Sequence, residues 1–256
     1  MSAALVVEWM KFRRSMVARL ATPLVVIAPP AFSFGAVWMA RTEGLDGPSA
    51  ERFALYREGT LTEARMLAAG QILCVVALIA AGFVVSWLFG REYSDHTVGS
   101  LYALPVTLRS VAMAKITIAA GWVVACVTTA IGLTVAACAF SVPGGFTSDV
   151  WRQVLTVAVA ANLMGLLGLT FAYVAASTRG YLGAVGSIIG VTAVSQILAS
   201  IGVGRWVPYV APAMWAGAGG AEAAHEILGI HLLWSVAFVV LGVFAALGAF
   251  NRPLNS

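Results

Sequence analysis

Six long apolar runs constrain the fold of this chain more than any other feature. A hydrocarbon core of roughly 30 Å requires about 20 consecutive apolar residues in a helix, and each run is close to that length or longer. The runs are continuous rather than alternating, which favours helices over strands, because backbone groups in lipid must be paired within their own segment. The predicted spans are Leu20–Ala40, Leu67–Phe89, Val111–Phe140, Val154–Ala176, Leu182–Ile201 and Leu228–Phe250.

The composition agrees with these spans and excludes several classes of function. With 61% hydrophobic and 10% charged residues, the chain is typical of a protein surrounded by lipid, and we predict one all-α membrane domain over residues 1–256. Charged side chains are absent from the middle of every run, which disfavours an ion-coupled secondary transporter or an intramembrane enzyme. The sequence predicts no catalytic residue and no metal site, because the three histidines are too scattered to share an ion.

The distribution of charges predicts the orientation in the membrane. If residue 1 is cytoplasmic, nine basic and three acidic residues lie on the inner side, and six basic and eight acidic residues lie on the outer side. The resulting balance is +6 inside and −2 outside, as expected from the retention of Lys and Arg in the cytoplasm. We therefore predict a multi-pass protein of a bacterial cytoplasmic membrane with both termini inside, and no nucleic-acid partner, since this asymmetry accounts for the basic charge.

Three segments outside the spans are organised. Residues 1–19 mix charged and apolar side chains around Trp9, a pattern typical of an interfacial helix, although the start of the first span is an alternative. In residues 90–110, Asp95 can begin a short amphipathic helix that Pro105 ends, and Thr107 can cap the next span. Residues 203–226 are interrupted by proline and glycine, so they form either re-entrant helices or an interfacial loop.

Neutral polar residues are the main polar groups inside the predicted spans. Gln71, Asn162 and Gln196 can line a translocation path or the seam of a permease dimer. They can also form interhelical hydrogen bonds, which are common in any helix bundle, and we favour this second role.

Two local motifs resemble those of the permease subunits of ABC-2 type transporters. The first is a GRE-Y-x-D-x-T sequence followed by Leu-Pro-x-[ST]-x-R and a lysine near the start of the third span; the second is E-W-x-K-x-x-R-S near the N-terminus. The matching residues are Gly90, Arg91, Glu92, Tyr93, Asp95, Thr97, Leu104, Pro105, Thr107, Arg109 and Lys115 in the first motif, and Glu8, Trp9, Lys11, Arg14 and Ser15 in the second.

The resemblance implies roles for these segments. In that family the segment after the second span is a coupling helix that docks on the ATPase subunit, and the N-terminal helix also contacts the ATPase. By this resemblance, ATPase coupling is expected from Arg91, Glu92, Tyr93, Asp95, His96, Thr97, Leu101, Leu104, Pro105 and Arg109, and an N-terminal interfacial contact from Glu8, Lys11 and Arg14.

The expected function is that of a transporter membrane subunit rather than an enzyme. The only two lysines do not follow a Gly-x-x-x-x-Gly sequence, so the chain has no phosphate-binding loop, and ATP and Mg are expected in a separate ABC ATPase. The resemblance further implies a dimer with a second permease copy or a related chain, contact with membrane lipid, and export of an antibiotic, a peptide or a lipid-like molecule, hence antibiotic resistance. The alternatives are a non-transporting membrane anchor or sensor and, less favoured, an ion-coupled secondary transporter.

Overall fold

The computed structural model describes residues 2–42, 53–95, 97 and 106–251, and within these ranges the chain is helical. Six helices are long and apolar enough to cross a membrane, which confirms the predicted number of spans. The helices are α1 (Ser2–Arg14), α2 (Met16–Arg41), α3 (Leu61–Ser94), α4 (Leu108–Ser141), α5 (Ser148–Leu167), α6 (Phe171–Ser177), α7 (Leu182–Ser200), α8 (Ala211–Trp215), α9 (Gly220–His225) and α10 (Gly229–Phe250). A short 3-10 turn, Gly168–Thr170, joins α5 and α6 into the fourth span.

Hydroxyl side chains begin four of the spans. Ser15, Thr60, Thr107 and Thr147 precede α2, α3, α4 and α5, and each accepts a hydrogen bond from a backbone N–H in the first turn. Such caps satisfy amide groups that have no partner within the helix. The cap predicted at Thr107 is confirmed.

Helix α3 lies at the centre of the bundle, where it contacts α2, α4, α5, α6 and α7. Small residues allow these helices to approach closely. A Cβ atom on Gly168 would lie 2.8 Å from the backbone nitrogen of Gly82, so only glycine fits this crossing with α3. Helices α2, α7 and α10 lie at the periphery and expose many large apolar side chains.

The segment 203–226 forms a 3-10 turn, Gly204–Trp206, followed by α8 and α9. Tyr209 anchors it to the bundle, because its ring stacks on Phe171 at 5.8 Å and meets Phe238 edge-on at 5.6 Å. The Tyr209 hydroxyl also lies 2.6 Å from Thr170 Oγ1. This packing is compatible with both the re-entrant and the interfacial interpretation, so the choice between them stays a prediction.

Several boundaries differ from those predicted, because most of the helices extend beyond the apolar runs. Helix α3 continues to Ser94, five residues beyond the apolar run, and Asp95 ends this helix, with its N–H donating to Arg91 O at 2.8 Å. The short helix predicted after Asp95 falls on residues 96 and 98–105, which lie outside the described residues. At the N-terminus, α1 ends at Arg14 and Ser15 begins α2, so residues 2–14 form a helix distinct from the first span.

Candidate functional site

Four charged side chains from three helices meet at one end of the bundle. Glu8 and Lys11 belong to α1, Glu92 lies near the end of α3, and Lys115 lies near the start of α4. Lys115 Nζ is 2.8 Å from Glu8 Oε2 and 3.0 Å from Glu92 Oε1. Lys11 Nζ is 2.9 Å from Glu8 Oε1 and 3.5 Å from Glu92 Oε1. We call these four residues the inner cluster; its formal charges sum to zero, and it links α1, α3 and α4.

Three members of the inner cluster are buried. Glu8, Glu92 and Lys115 expose 3%, 2% and 0% of their surface, while about a third of the Lys11 side chain remains exposed. Lys115 can be buried because each of its three ammonium hydrogens has an acceptor, the third being Leu88 O at 2.8 Å. A buried charge without such partners would destabilise the fold by several kcal/mol.

The spacing of residues in α1 places Glu8 in this position. Ala4, Glu8 and Phe12 are the buried residues of the helix, and their four-residue spacing puts them on one face. Phe12 packs edge-on against Trp122 of α4 at 6.1 Å, and Trp122 Nε1 donates to Thr22 Oγ1 of α2 at 2.9 Å. These contacts hold α1 against α2 and α4, with the Glu8 carboxylate directed at Lys115.

Gly90, which precedes Arg91 and Glu92, has a steric role. A Cβ atom at this position would lie 2.6 Å from the backbone nitrogen of Tyr181, in the loop between α6 and α7. The end of α3 therefore packs directly on that backbone. Arg91 lies over the Trp87 ring at 4.7 Å, and the next side chain, Glu92, enters the inner cluster.

Thr97 joins the inner cluster to the segment that links α3 and α4. Its Oγ1 donates to Glu92 Oε2 at 2.8 Å, and its backbone N–H donates to Glu92 O at 2.9 Å. One carboxylate oxygen of Glu92 thus accepts from Thr97 while the other faces the two lysines. A displacement of Thr97 would act directly on Glu92.

The charge state of Lys11 is held by its neighbours. Partial burial opposes its protonated form, but the hydrogen bond and negative charge of Glu8, with help from Glu92, outweigh burial and raise the pKa of Lys11 above its ordinary value. Lys11 therefore stays protonated at neutral pH, as the charge balance of the inner cluster requires.

The residues predicted for ATPase coupling and for the N-terminal contact differ in their exposure. Asp95 and Arg109 are exposed, as is Arg14 from the predicted N-terminal contact, so these side chains can touch a partner. Glu8 and Glu92 are buried within the chain and paired with Lys115, so their side chains are not on the surface, and their predicted role in coupling stays a prediction. Tyr93 is half-buried and meets the Phe250 ring at 6.2 Å. The predicted coupling residues that lie outside the described ranges are His96, Leu101, Leu104 and Pro105.

The centre of the inner cluster, Lys115, was not among the predicted site residues. It contributed only to the motif resemblance, because sequence alone does not show that a residue near the start of α4 meets one that is 107 positions earlier. One feature of the sequence could have pointed to Lys115. The chain contains only two lysines, and both occur in the motifs on the predicted inner side.

The three neutral polar residues predicted inside the spans have different environments. Gln71 accepts from the Tyr56 hydroxyl at 2.6 Å and donates to Gly217 O at 3.0 Å. Asn162 donates to Ala158 O of its own helix at 2.8 Å. Gln196 lies with Gln71 on the wall of a cavity of about 540 Å³ that Asn162 does not reach.

One protein-family model matches most of the chain. Residues 4–198 match the family model described as ABC-2 family transporter protein, a range that contains the whole inner cluster and extends from α1 nearly to the end of α7. Among curated protein sequences, none matches the chain.

Proposed function

The chain belongs to the ABC-2 transporter family, and we propose that it is the permease of a bacterial exporter driven by a separate ATPase subunit. As an ABC permease it is a multi-pass membrane subunit and not itself the catalytic one, and its family implies an ABC ATPase as partner. We propose the side bearing the inner cluster as the cytoplasmic side. The +6 to −2 charge balance supports this assignment. The contact of Phe250 with Phe89 brings the end of α10 to the same end of the bundle as α1, as expected if both termini share one side.

The observation that carries the proposal is the position of the inner cluster. Glu92 is the third-last residue of α3, and Lys115 is the eighth residue of α4. Their ion pair therefore joins the two helices close to the segment that connects them. Glu8 ties α1 to the same point. A push on the connecting segment by an ATPase would therefore move α1, α3 and α4 together, because breaking any one link would leave a buried charge unpaired.

In this proposal, the exposed residues around the inner cluster contact the ATPase directly. Asp95 at the end of α3, Arg109 in the first turn of α4 and Arg14 at the end of α1 all have exposed side chains. Rim charges of this kind steer association and set its specificity. The inner cluster acts behind them as the positioning element that transmits the movement.

A second permease, either another copy or a related chain, would complete the pathway. The peripheral position of α2, α7 and α10, with their exposed apolar side chains, supports a partner or lipid on these faces. The proposed cargo is hydrophobic or amphipathic, such as an antibiotic, a peptide or a lipid-like molecule. ATP and Mg would bind in the ATPase.

The experiment is to co-purify the permease with its ATPase and to measure ATP-dependent export in vesicles. Asp95→Lys should reduce the bound ATPase by about tenfold, equivalent to about 1.4 kcal/mol, while leaving the melting temperature of the permease unchanged. Glu58→Lys is the matched control, because Glu58 is also exposed but lies between α2 and α3, at the opposite end of the bundle. Wild-type ATPase binding and export by Asp95→Lys would refute the docking surface. ATPase binding without any export by the wild type would favour an anchor or sensor.

A further inference from the structure

The cavity that contains Gln71 and Gln196 lies between α3, α5, α7 and the segment 203–226. We call it the outer cavity, bounded by Gln71, Leu78, Met164, Ser195, Gln196 and Met214 among others. Its volume of about 540 Å³ falls within the range of roughly 300 to 1,000 Å³ that is usual for small-molecule sites. Gln71 and Glu92 are on the same helix, so the outer cavity is about 30 Å from the inner cluster along α3.

The chemistry of the walls limits what can enter. None of the described residues that line the outer cavity carries a formal charge. A charged ligand group would therefore lose its hydration without gaining a counter-ion, which is costly. Most of the wall is apolar, and Met164 and Met214 supply flexible side chains that can adapt to ligands of different shape.

Two polar groups on α7 have no partner within the described residues. They are the Ser195 hydroxyl, on a buried residue, and the Gln196 amide, on an exposed one; the two residues are adjacent in sequence and both line the outer cavity. Ser195 is only 5% exposed, so its side chain lies inside the bundle. The other polar groups on the wall already have hydrogen bonds: Gln71 with Tyr56 and Gly217, Thr192 with Ile188, Ser200 with Ile197, and Tyr209 with Thr170.

The two unpaired polar groups determine which hydrogen-bonding groups a ligand of the outer cavity needs. Ser195 can donate one hydrogen bond and accept others at its oxygen, and the Gln196 amide offers two N–H donors and an acceptor oxygen. An occupant that pairs with Ser195 satisfies a hydroxyl on a largely buried residue, while Gln196 exchanges hydrogen bonds to water for bonds to the occupant. Its remaining surface must be apolar to match the walls around Leu78 and Met164.

We propose that the outer cavity binds an uncharged amphipathic molecule, with its polar end on Ser195 and Gln196 and its apolar body between α3, α5 and α8. Such a molecule is either the exported cargo or a neutral membrane lipid, which share this chemistry. Binding does not depend on an ATPase. Only the identification of the occupant as cargo rests on the proposed export function.

The test uses three photoreactive probes with the same diazirine-bearing acyl chain and different ends: a glycerol ester, a trimethylammonium group and a sulfate. The purified chain in nanodiscs is irradiated with each probe, and labelled peptides are mapped by mass spectrometry. The glycerol ester should label peptides that contain residues 195–200 and 210–214 at least about tenfold more than either charged probe, which corresponds to about 1.4 kcal/mol of discrimination. Equal labelling by all three probes, or labelling confined to the lipid-facing residues of α7, would overturn the proposal.

Variants locate the binding groups. Ser195→Ala and Gln196→Leu should each lower labelling by the glycerol ester about fivefold, a loss of about 1 kcal/mol that is typical of one hydrogen bond. Ser187→Ala is the matched control, because Ser187 is on the same helix, donates to Ala184 O and does not line the outer cavity. Unchanged labelling in both cavity variants would contradict the assignment of the polar end. The three-probe comparison on the wild type remains decisive if a variant fails to fold.

Two further measurements distinguish the sources of the occupant. A neutral lipid that is extracted from the purified wild type, and is missing from Ala199→Trp, would identify a resident lipid, since Ala199 is on the cavity wall. Release of bound glycerol ester on addition of the ATPase and ATP would identify a cargo site. A failure of export alone would leave the labelling of the isolated permease intact, so it would refute the proposed function without refuting the site.

Discussion

The inner cluster and the outer cavity lie toward opposite ends of the same helix, and they treat polar groups in opposite ways. At the inner cluster, four charges are concentrated and each buried member is paired. At the outer cavity, the described walls carry no charge, and two neutral polar groups are left without a partner. Paired charges link three helices, whereas the unpaired Ser195 and the exposed Gln196 are the groups proposed to bind a ligand. Helix α3 connects the two regions, and in the proposed function it would transmit movement from one to the other.

The largest expected effect comes from removing the cation at the centre of the inner cluster. Lys115→Met would leave Glu8 and Glu92 buried with only the partly exposed Lys11 to balance them. We expect a loss of about 3 to 5 kcal/mol in the free energy of unfolding in mixed micelles. Arg109→Met, an exposed cation on the same helix, should cost about 1 kcal/mol or less. Similar losses in the two variants would show that the inner cluster contributes no more than a surface charge.

A smaller loss is expected from Gly90→Ala. The new methyl group would lie 2.6 Å from Tyr181 N, so the end of α3 must move away from the loop that precedes α7. Overpacking of this kind typically costs about 1 to 3 kcal/mol, measurable by the same unfolding assay. The control is Gly121→Ala, on α4, where a Cβ atom meets nothing within 4 Å. That change should be neutral or slightly stabilising, and an equally neutral Gly90→Ala would refute the close contact.

The two glutamines of the outer cavity provide an internal comparison. Gln71→Leu would leave the Tyr56 hydroxyl and Gly217 O without their partner, at a cost of about 1 to 3 kcal/mol. Gln196→Leu removes no hydrogen bond, so its effect on the free energy of unfolding should stay within about 0.5 kcal/mol. Parallel thermal unfolding of the two variants measures the difference. A greater loss in Gln196→Leu would mean that Gln196 supports the fold rather than a ligand.

The smallest effect concerns pH. Because the folded state raises the pKa of Lys11, its stabilising contribution is fully present below the unfolded value of about 10.4 and is lost as pH rises through the higher folded value. Lys11→Arg keeps its charge over that range. The difference in unfolding free energy between wild type and Lys11→Arg should therefore be constant from about pH 7 to 9 and turn against the wild type above about pH 10.5. Parallel pH profiles would contradict the role of Lys11.

The spans could be predicted from sequence because the signal for each of them is local. A run of apolar residues determines a membrane helix within its own segment, and the predicted ends differ from the observed ones mainly where polar turns extend the helices, as at Ser94. The orientation of Glu8 and Glu92 could not be predicted in this way. Their burial depends on Lys115, which is 107 and 23 positions away, and charged residues beside a span ordinarily face water.

The outer cavity could not be predicted from the sequence, for a different reason. Gln71 and Gln196 were singled out as polar residues in apolar spans, but nothing in the sequence separates the glutamine that is bonded to Tyr56 from the one that is unpaired. That distinction arises from the fold of the segment 203–226, whose Gly217 supplies the carbonyl for Gln71. A cavity is a property of the space between helices, and single-sequence patterns do not report it.

A double-mutant cycle on Glu8 and Lys115 tests most directly whether the inner cluster joins the N-terminal helix to the spans. The unfolding free energies of wild type, Glu8→Gln, Lys115→Met and the double variant would be measured in the same mixed micelles. We predict that the double variant is about 1 to 3 kcal/mol more stable than the sum of the single losses implies, because Lys115→Met no longer leaves a Glu8 carboxylate unpaired, while the loss at Glu92 is the same with and without Glu8→Gln. Losses that add to within about 0.3 kcal/mol would contradict a direct ion pair between α1 and α4, and with it the proposed transmission.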